Sequence, residues 1–82
     1  MSEKLYCQMN INKESIPDYI KGRISGIIDG VICDPKRKRY AIVRINGLTI
    51  FRFDATKAQF NKIKKLMTTE YSNMYEINFI EL

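Results

Sequence analysis

Histidine is absent from this sequence of 82 residues, which removes the side chain that most often serves as a general base. Ser-His and Cys-His nucleophile pairs are excluded with it. The two cysteines, Cys7 and Cys33, cannot supply the four protein ligands of a zinc site, so we expect two reduced thiols. The carboxylates lack the paired spacing of a hydrolase, and no glycine-rich phosphate loop is present. The sequence therefore predicts a protein that is not an enzyme and that holds no cofactor and no metal.

Long apolar runs are also missing, and no basic-then-apolar leader opens the sequence. We therefore expect a cytoplasmic protein without membrane contact. A chain of this length forms one domain, here residues 1–82, near the lower size limit for folding without staples. Because so small a core is marginal, we expect the protein to gain stability by pairing as a homodimer.

Positive charge is concentrated in the middle of the chain. The net charge is +5, yet residues 35–65 hold ten cations against Asp54 alone, while the ranges on either side are mildly acidic. Such an asymmetry points to phosphate groups or to an acidic protein surface as the partner. The alternative is a solvated turn that happens to adjoin the outer face of a helix, because a charge run alone is a weak motif.

Residues 4–11 and 74–81 alternate between polar and apolar side chains, which predicts a half-buried strand at each end of the chain. Residues 16–21 predict a short helical turn that ends at Gly22. Residues 23–33 form a β-branched run interrupted by glycines, which predicts a long strand bent at those glycines. A basic turn, "DPKRKR", follows this run.

The pair Asn46-Gly47 predicts a type I′ turn between strands 40–45 and 48–53. A two-residue turn fixes the pairing, so that one face of the hairpin is aliphatic and the other is largely aromatic. A helix over residues 55–67, capped by Asp54, should pack on the aliphatic face through its own apolar stripe. The aliphatic face holds Val43, Ile45, Leu48 and Ile50, and the other face holds Tyr40, Ile42, Phe51 and Phe53.

Three things could cover the aromatic face of the hairpin: the N-terminal strand of the same chain folded over it as a second layer, a second copy of the protein, or the bases of a nucleic acid. Large apolar patches are rare on monomers, so we expect one of the three to be present. The first is the usual role of aromatic residues at strand spacing, since most such residues lie in a core.

The predicted fold class is α+β, a small and strongly bent five-strand sheet or partly open barrel with one main helix and a short helical turn. The order of a strand meander, a helix and a strand resembles that of oligonucleotide-binding barrels. A ferredoxin-like split βαβ arrangement, with residues 4–11 and 74–81 as central strands, is the alternative.

Three functions remain open. The first is a small basic module that binds nucleic acid through the basic turn and the helix. The second is a small protein of a phage or mobile element that binds and inhibits a host protein, and the third is a structural homodimer. Predicted residues for binding nucleic acid or another partner are Lys36, Arg37, Lys38, Arg39, Arg44, Lys57, Lys64 and Lys65, with Tyr40, Phe51 and Phe53 for stacking or an interface.

Overall fold

A computed structural model describes residues 5–33 and 40–82. The strands form one antiparallel sheet in the order β2-β3-β1-β4, and both helices pack on the same face of that sheet. The elements follow one another as β1 Leu5–Ile11, α1 Asp18–Ile32, β2 Tyr40–Ile45, β3 Leu48–Ala55, α2 Lys57–Tyr71 and β4 Ile77–Glu81.

The α+β class is confirmed, but the prediction of five strands or a partly open barrel is wrong. The described residues form four strands in an open sheet. The order β-α-β-β-α-β is that of the ferredoxin-like arrangement, which was the alternative. Within this order β1 is a central strand as expected, whereas β4 lies at an edge of the sheet.

The bent strand predicted over residues 23–33 is wrong, because these residues belong to α1. Its buried stripe consists of Ile20, Ile24, Ile28 and Ile32. A spacing of four residues keeps side chains on one face of a helix, and, since four is a multiple of two, it does so in a strand as well. The helical turn predicted to end at Gly22 therefore continues for ten more residues, and α1 ends at Ile32, followed by the C-cap Cys33, whose φ of 50° is left-handed.

The hairpin register is confirmed at every predicted pair, and both turn residues have positive φ, 52° at Asn46 and 77° at Gly47. The face on which the helix packs is the opposite of the predicted one. Phe51 and Phe53 are fully buried beneath the helices, whereas Val43 and Ile45 are exposed on the open side of the sheet. Phe53 meets Phe60 of α2 edge-on, with 6.1 Å between the ring centroids.

This choice of face follows from the neighbour of β3 in the sheet. Strand β1 pairs Met9 with Phe51 and Cys7 with Phe53, so its buried side chains extend the aromatic side of the hairpin. Two phenylalanines in line with these residues bury more apolar area than Val43 and Ile45 on the edge strand would.

Helix α2 confirms a main helix in this part of the chain, but it covers residues 57–71 and its cap is not Asp54. Asp54 belongs to β3. The cap is Thr56, whose hydroxyl accepts a hydrogen bond from the Gln59 backbone N–H while the Gln59 side chain accepts one from the Thr56 N–H. This reciprocal pair satisfies two N–H groups at the start of the helix. Within the described residues, neither helix is long and apolar enough to cross a membrane.

Candidate nucleic-acid interface

Helix α2 carries four lysines in its first nine residues, and its one acidic residue, Glu70, lies in the last turn. Lys57, Lys62 and Lys65 are exposed, and Lys64 is half-buried. The opposite side of the helix is buried through Phe60, Ile63, Met67 and Tyr71. The lysines therefore line the part of α2 that the core leaves to solvent.

Two of these lysines already make contacts within the protein. Lys57 Nζ donates a hydrogen bond to Glu81 Oε1 at the end of β4. Lys64 Nζ lies 5.1 Å from the centroid of the Phe60 ring, within the range of a cation–π contact. Contacts of this kind near the surface contribute little to stability. Lys62 and Lys65 extend outward from the same helix.

The four cations of the predicted basic turn, Lys36 to Arg39, lie outside the described residues. The residues on either side of that segment are placed, however. Gln59 Nε2 in the first turn of α2 donates a hydrogen bond of 3.4 Å to the backbone oxygen of Ile32, near the end of α1. Tyr40, which opens β2, is paired with Phe53, two residues before the end of β3 and close to the start of α2. Ile32 therefore lies beside the first turn of α2, and Tyr40 lies beside the part of β3 that leads into α2.

Arg44 is not brought to this place. It is exposed near the other end of the hairpin, next to the Asn46-Gly47 turn, and it pairs with Thr49 in the sheet. The basic residues predicted from sequence thus fall into two places, with Lys57, Lys64 and Lys65 at α2 and Arg44 at the hairpin tip. The α2 lysines of the predicted surface are therefore separated from Arg44.

Two of the three predicted stacking residues, Phe51 and Phe53, are not available to a partner, and the side chain of Tyr40 lies outside the described part of the structure. Phe51 and Phe53 have 0% relative exposure, so neither can meet a base or a second copy, and the role predicted for them is wrong. Their cover is the first alternative in kind, a core, although α-helices supply it rather than the N-terminal strand. Among the described residues on the open face of the sheet, Tyr6 is the one aromatic residue.

Polar side chains occupy the centre of that open face. Arg52 Nε donates a hydrogen bond of 3.1 Å to Gln8 Oε1, and Gln8 Nε2 donates one of 2.7 Å to Asn10 Oδ1. Gln8 is only 8% exposed, and these two hydrogen bonds satisfy its side-chain amide. This network is a structural feature of the sheet rather than a set of groups free to bind bases.

The cysteines differ in environment. Burial, followed by the charges of Glu81 and Asp54, raises the pKa of Cys7 to about 11, so its thiol is neutral at neutral pH. Cys33 is exposed, and its Sγ donates to the Gly30 backbone oxygen at 3.0 Å. No group of three or more Cys, Asp and Glu residues in the described ranges is arranged to hold a metal ion.

Two residues relevant to this surface were missing from the set predicted as a site. Gln59 joins α2 to the end of α1, and the Thr56-x-x-Gln59 spacing of a capping box was the available signal. Lys62, the other residue, is exposed on the outer side of α2. A comparison of the chain with models of known protein families and with curated proteins found no match to either.

Proposed function

We propose that the protein is a small, basic, non-enzymatic module that binds the phosphate groups of nucleic acid at the end of the molecule where α2 begins. One observation supports this proposal: Ile32, which precedes the segment of Lys36 to Arg39 in the sequence, is hydrogen bonded to Gln59 in the first turn of a helix with four lysines. We infer from this contact that the cations of Lys36 to Arg39 lie close enough to the α2 lysines to act with them. Adjacent cations of this kind attract a polyanion more strongly than scattered ones.

The length of α2 over which the four lysines are spread suits a strand of phosphates. Eight helical rises separate Lys57 from Lys65, which is roughly 12 Å along the axis. At about 3.4 Å per nucleotide along one strand, this length covers roughly three to four steps. Lysine ammonium groups act as point charges that fix position without reading bases, so we expect binding that depends little on sequence.

The experiment compares two double variants that remove the same charge from the two helices. Lys62→Ser with Lys65→Ser removes two cations from α2. Lys21→Ser with Arg23→Ser removes two from the first turns of α1, at the far end from the contact between Gln59 and Ile32. Fluorescence anisotropy with a labelled single-stranded oligonucleotide at low salt measures each affinity, and thermal unfolding confirms that each variant is folded.

The proposal predicts that the α2 variant binds about tenfold more weakly, while the α1 variant binds as the parent does. Replacing Lys36, Arg37, Lys38 and Arg39 with serine should weaken binding further without lowering the thermal midpoint. Equal loss in the two helix variants would show a general effect of net charge and would contradict the proposed site. If the protein bound an acidic protein but no oligonucleotide, the partner would be an acidic protein surface and the nucleic-acid proposal would be wrong.

A further inference from the structure

Strand β2 is an edge of the sheet with apolar side chains exposed on both of its faces. Relative exposure is 40% for Ile42, 37% for Val43 and 49% for Ile45. Arg44 is the one charged residue among Tyr40–Ile45, and this strand contains no proline. Edge strands are usually protected from pairing by several charges, a proline or a bulge, so β2 is unprotected by this standard.

The other edge of the sheet differs. Strand β4 ends at Glu81, which is joined to Lys57, and Glu76 precedes it and accepts a hydrogen bond from Asn12 Nδ2. Ile80 is exposed at 39% but has the polar Asn78 beside it on the open face. A partner strand would therefore meet acidic residues at β4 and aliphatic residues with a cation at β2.

The hairpin register shows which backbone groups of β2 are directed at the free edge. Ile45 and Leu48 flank the two-residue turn and form a hydrogen-bonded pair, and such pairs alternate with non-bonded ones along an antiparallel ladder. Val43 and Ile45 thus direct their N–H and C=O groups to β3. Ile42 and Arg44 direct theirs away from the sheet, where an added strand could bind them.

We propose that the β2 edge binds an extended segment of a partner protein that has an aliphatic centre and acidic residues at its ends. Strand addition of this kind takes its affinity from the main chain and its specificity from alternate side chains. Aliphatic partner residues would cover Val43 and Ile45 on the open face, and an acidic residue would lie near Arg44 on the helix side.

Charge decides between this partner and a second copy of the chain. The protein has a net charge of +5, and residues 36–45 alone contain five cations. In antiparallel pairing of β2 with its own copy, Arg44 of each chain would lie toward the beginning of β2 in the other chain, where Lys36 to Arg39 precede the strand in the sequence. Like charges across strands are destabilising, whereas an acidic segment meets the same cations favourably.

The probes are two synthetic hexapeptides with alternating valine and isoleucine at their four central positions. One has a glutamate at each end and the other has a lysine at each end. Titration followed by NMR gives the affinities, and amide hydrogen exchange reports protection at each residue. The parent protein and an Arg44→Glu variant are compared, because this substitution lies at an exposed site and keeps the apolar residues of β2.

The glutamate peptide should bind the parent about tenfold more tightly than the lysine peptide, and Arg44→Glu should reverse this order. Protection should rise at the Ile42 and Arg44 amides, with no rise along β4. Absence of protection at these amides, or an unchanged preference in Arg44→Glu, would overturn the proposal. The remaining outcome is amide protection that grows with protein concentration in the absence of peptide, with sedimentation at twice the 9.6 kDa monomer mass. That result would overturn the proposal, because it would show that a second copy of the chain occupies the β2 edge.

Discussion

The two helices have the same length and pack on the same face of the sheet, yet they are held in different ways. Helix α2 begins with a complete capping box at Thr56 and Gln59. Helix α1 begins after Pro17, which makes no side-chain capping bond. It also contains three glycines, Gly22, Gly26 and Gly30, whose positions have nothing within 4 Å of where a Cβ would lie.

This difference indicates where the stability of each helix originates. Glycine in the interior of a helix costs about 0.5–1 kcal/mol relative to alanine, so α1 has a poor local preference for helix. Its four buried isoleucines compensate by packing against the sheet. Helix α1 therefore depends on tertiary burial, whereas the capping box of α2 supports that helix locally as well.

Core truncation should give the largest effect. Ile28 is fully buried in α1, and Ile28→Ala should lower the free energy of unfolding by about 2–5 kcal/mol because a cavity is left behind. Ile63→Ala in α2 is the matched control, since Ile63 is also fully buried. Chemical denaturation measures both losses, and hydrogen exchange should show a larger fall in amide protection within α1. Equal protection of both helices in the Ile28 variant would contradict the contrast drawn between them.

Filling the glycine positions should give the next largest effect, with the opposite sign. Gly22→Ala, Gly26→Ala and Gly30→Ala should together raise the free energy of unfolding by about 1.5–3 kcal/mol, because each alanine restricts the unfolded chain and favours helix. Gly47→Ala is the control and should be destabilising, since its φ of 77° is unfavourable for a side chain. A triple variant less stable than the parent would mean that this face of α1 needs glycine for packing.

Removal of the cap should give the smallest of these effects. Thr56→Ala should cost about 1 kcal/mol, because the Gln59 N–H loses its acceptor. Thr56→Ser retains the hydroxyl and should remain within a few tenths of a kcal/mol of the parent. Thermal unfolding of the three proteins gives the comparison. A Thr56→Ala variant as stable as the parent would show that α2, like α1, depends on burial alone.

Features of the fold that depend on residues close together in the sequence could be predicted. The Asn46-Gly47 turn determined the register of β2 and β3 because two residues allow one pairing. The α1 region was misassigned because isoleucines four residues apart satisfy both helix and strand periods. The packing face was misassigned because it depends on β1, which is distant in sequence and lies beside β3 in the sheet.

The candidate site shows the same division. The cations of the site could be identified from the sequence, and the apolar stripe of α2 indicated that its lysines lie on the outside of the helix. The position of Ile32 beside Gln59 could not be predicted, because it requires the residues before the basic segment to form a helix that ends there. The prediction of stacking at Phe51 and Phe53 failed for a related reason, since both helices cover the face that was expected to carry no helix.

The salt dependence of binding to a single-stranded oligonucleotide tests the central claim most directly. Each phosphate contact should contribute about −0.7 to the slope of log K against log salt concentration. The account predicts a steep slope for the parent, a slope reduced by about 1.4 when Lys62 and Lys65 are replaced, and an unchanged slope when Lys21 and Arg23 of α1 are replaced. A parent that binds no oligonucleotide at low salt, or a slope that the α2 substitutions leave unchanged, would contradict it.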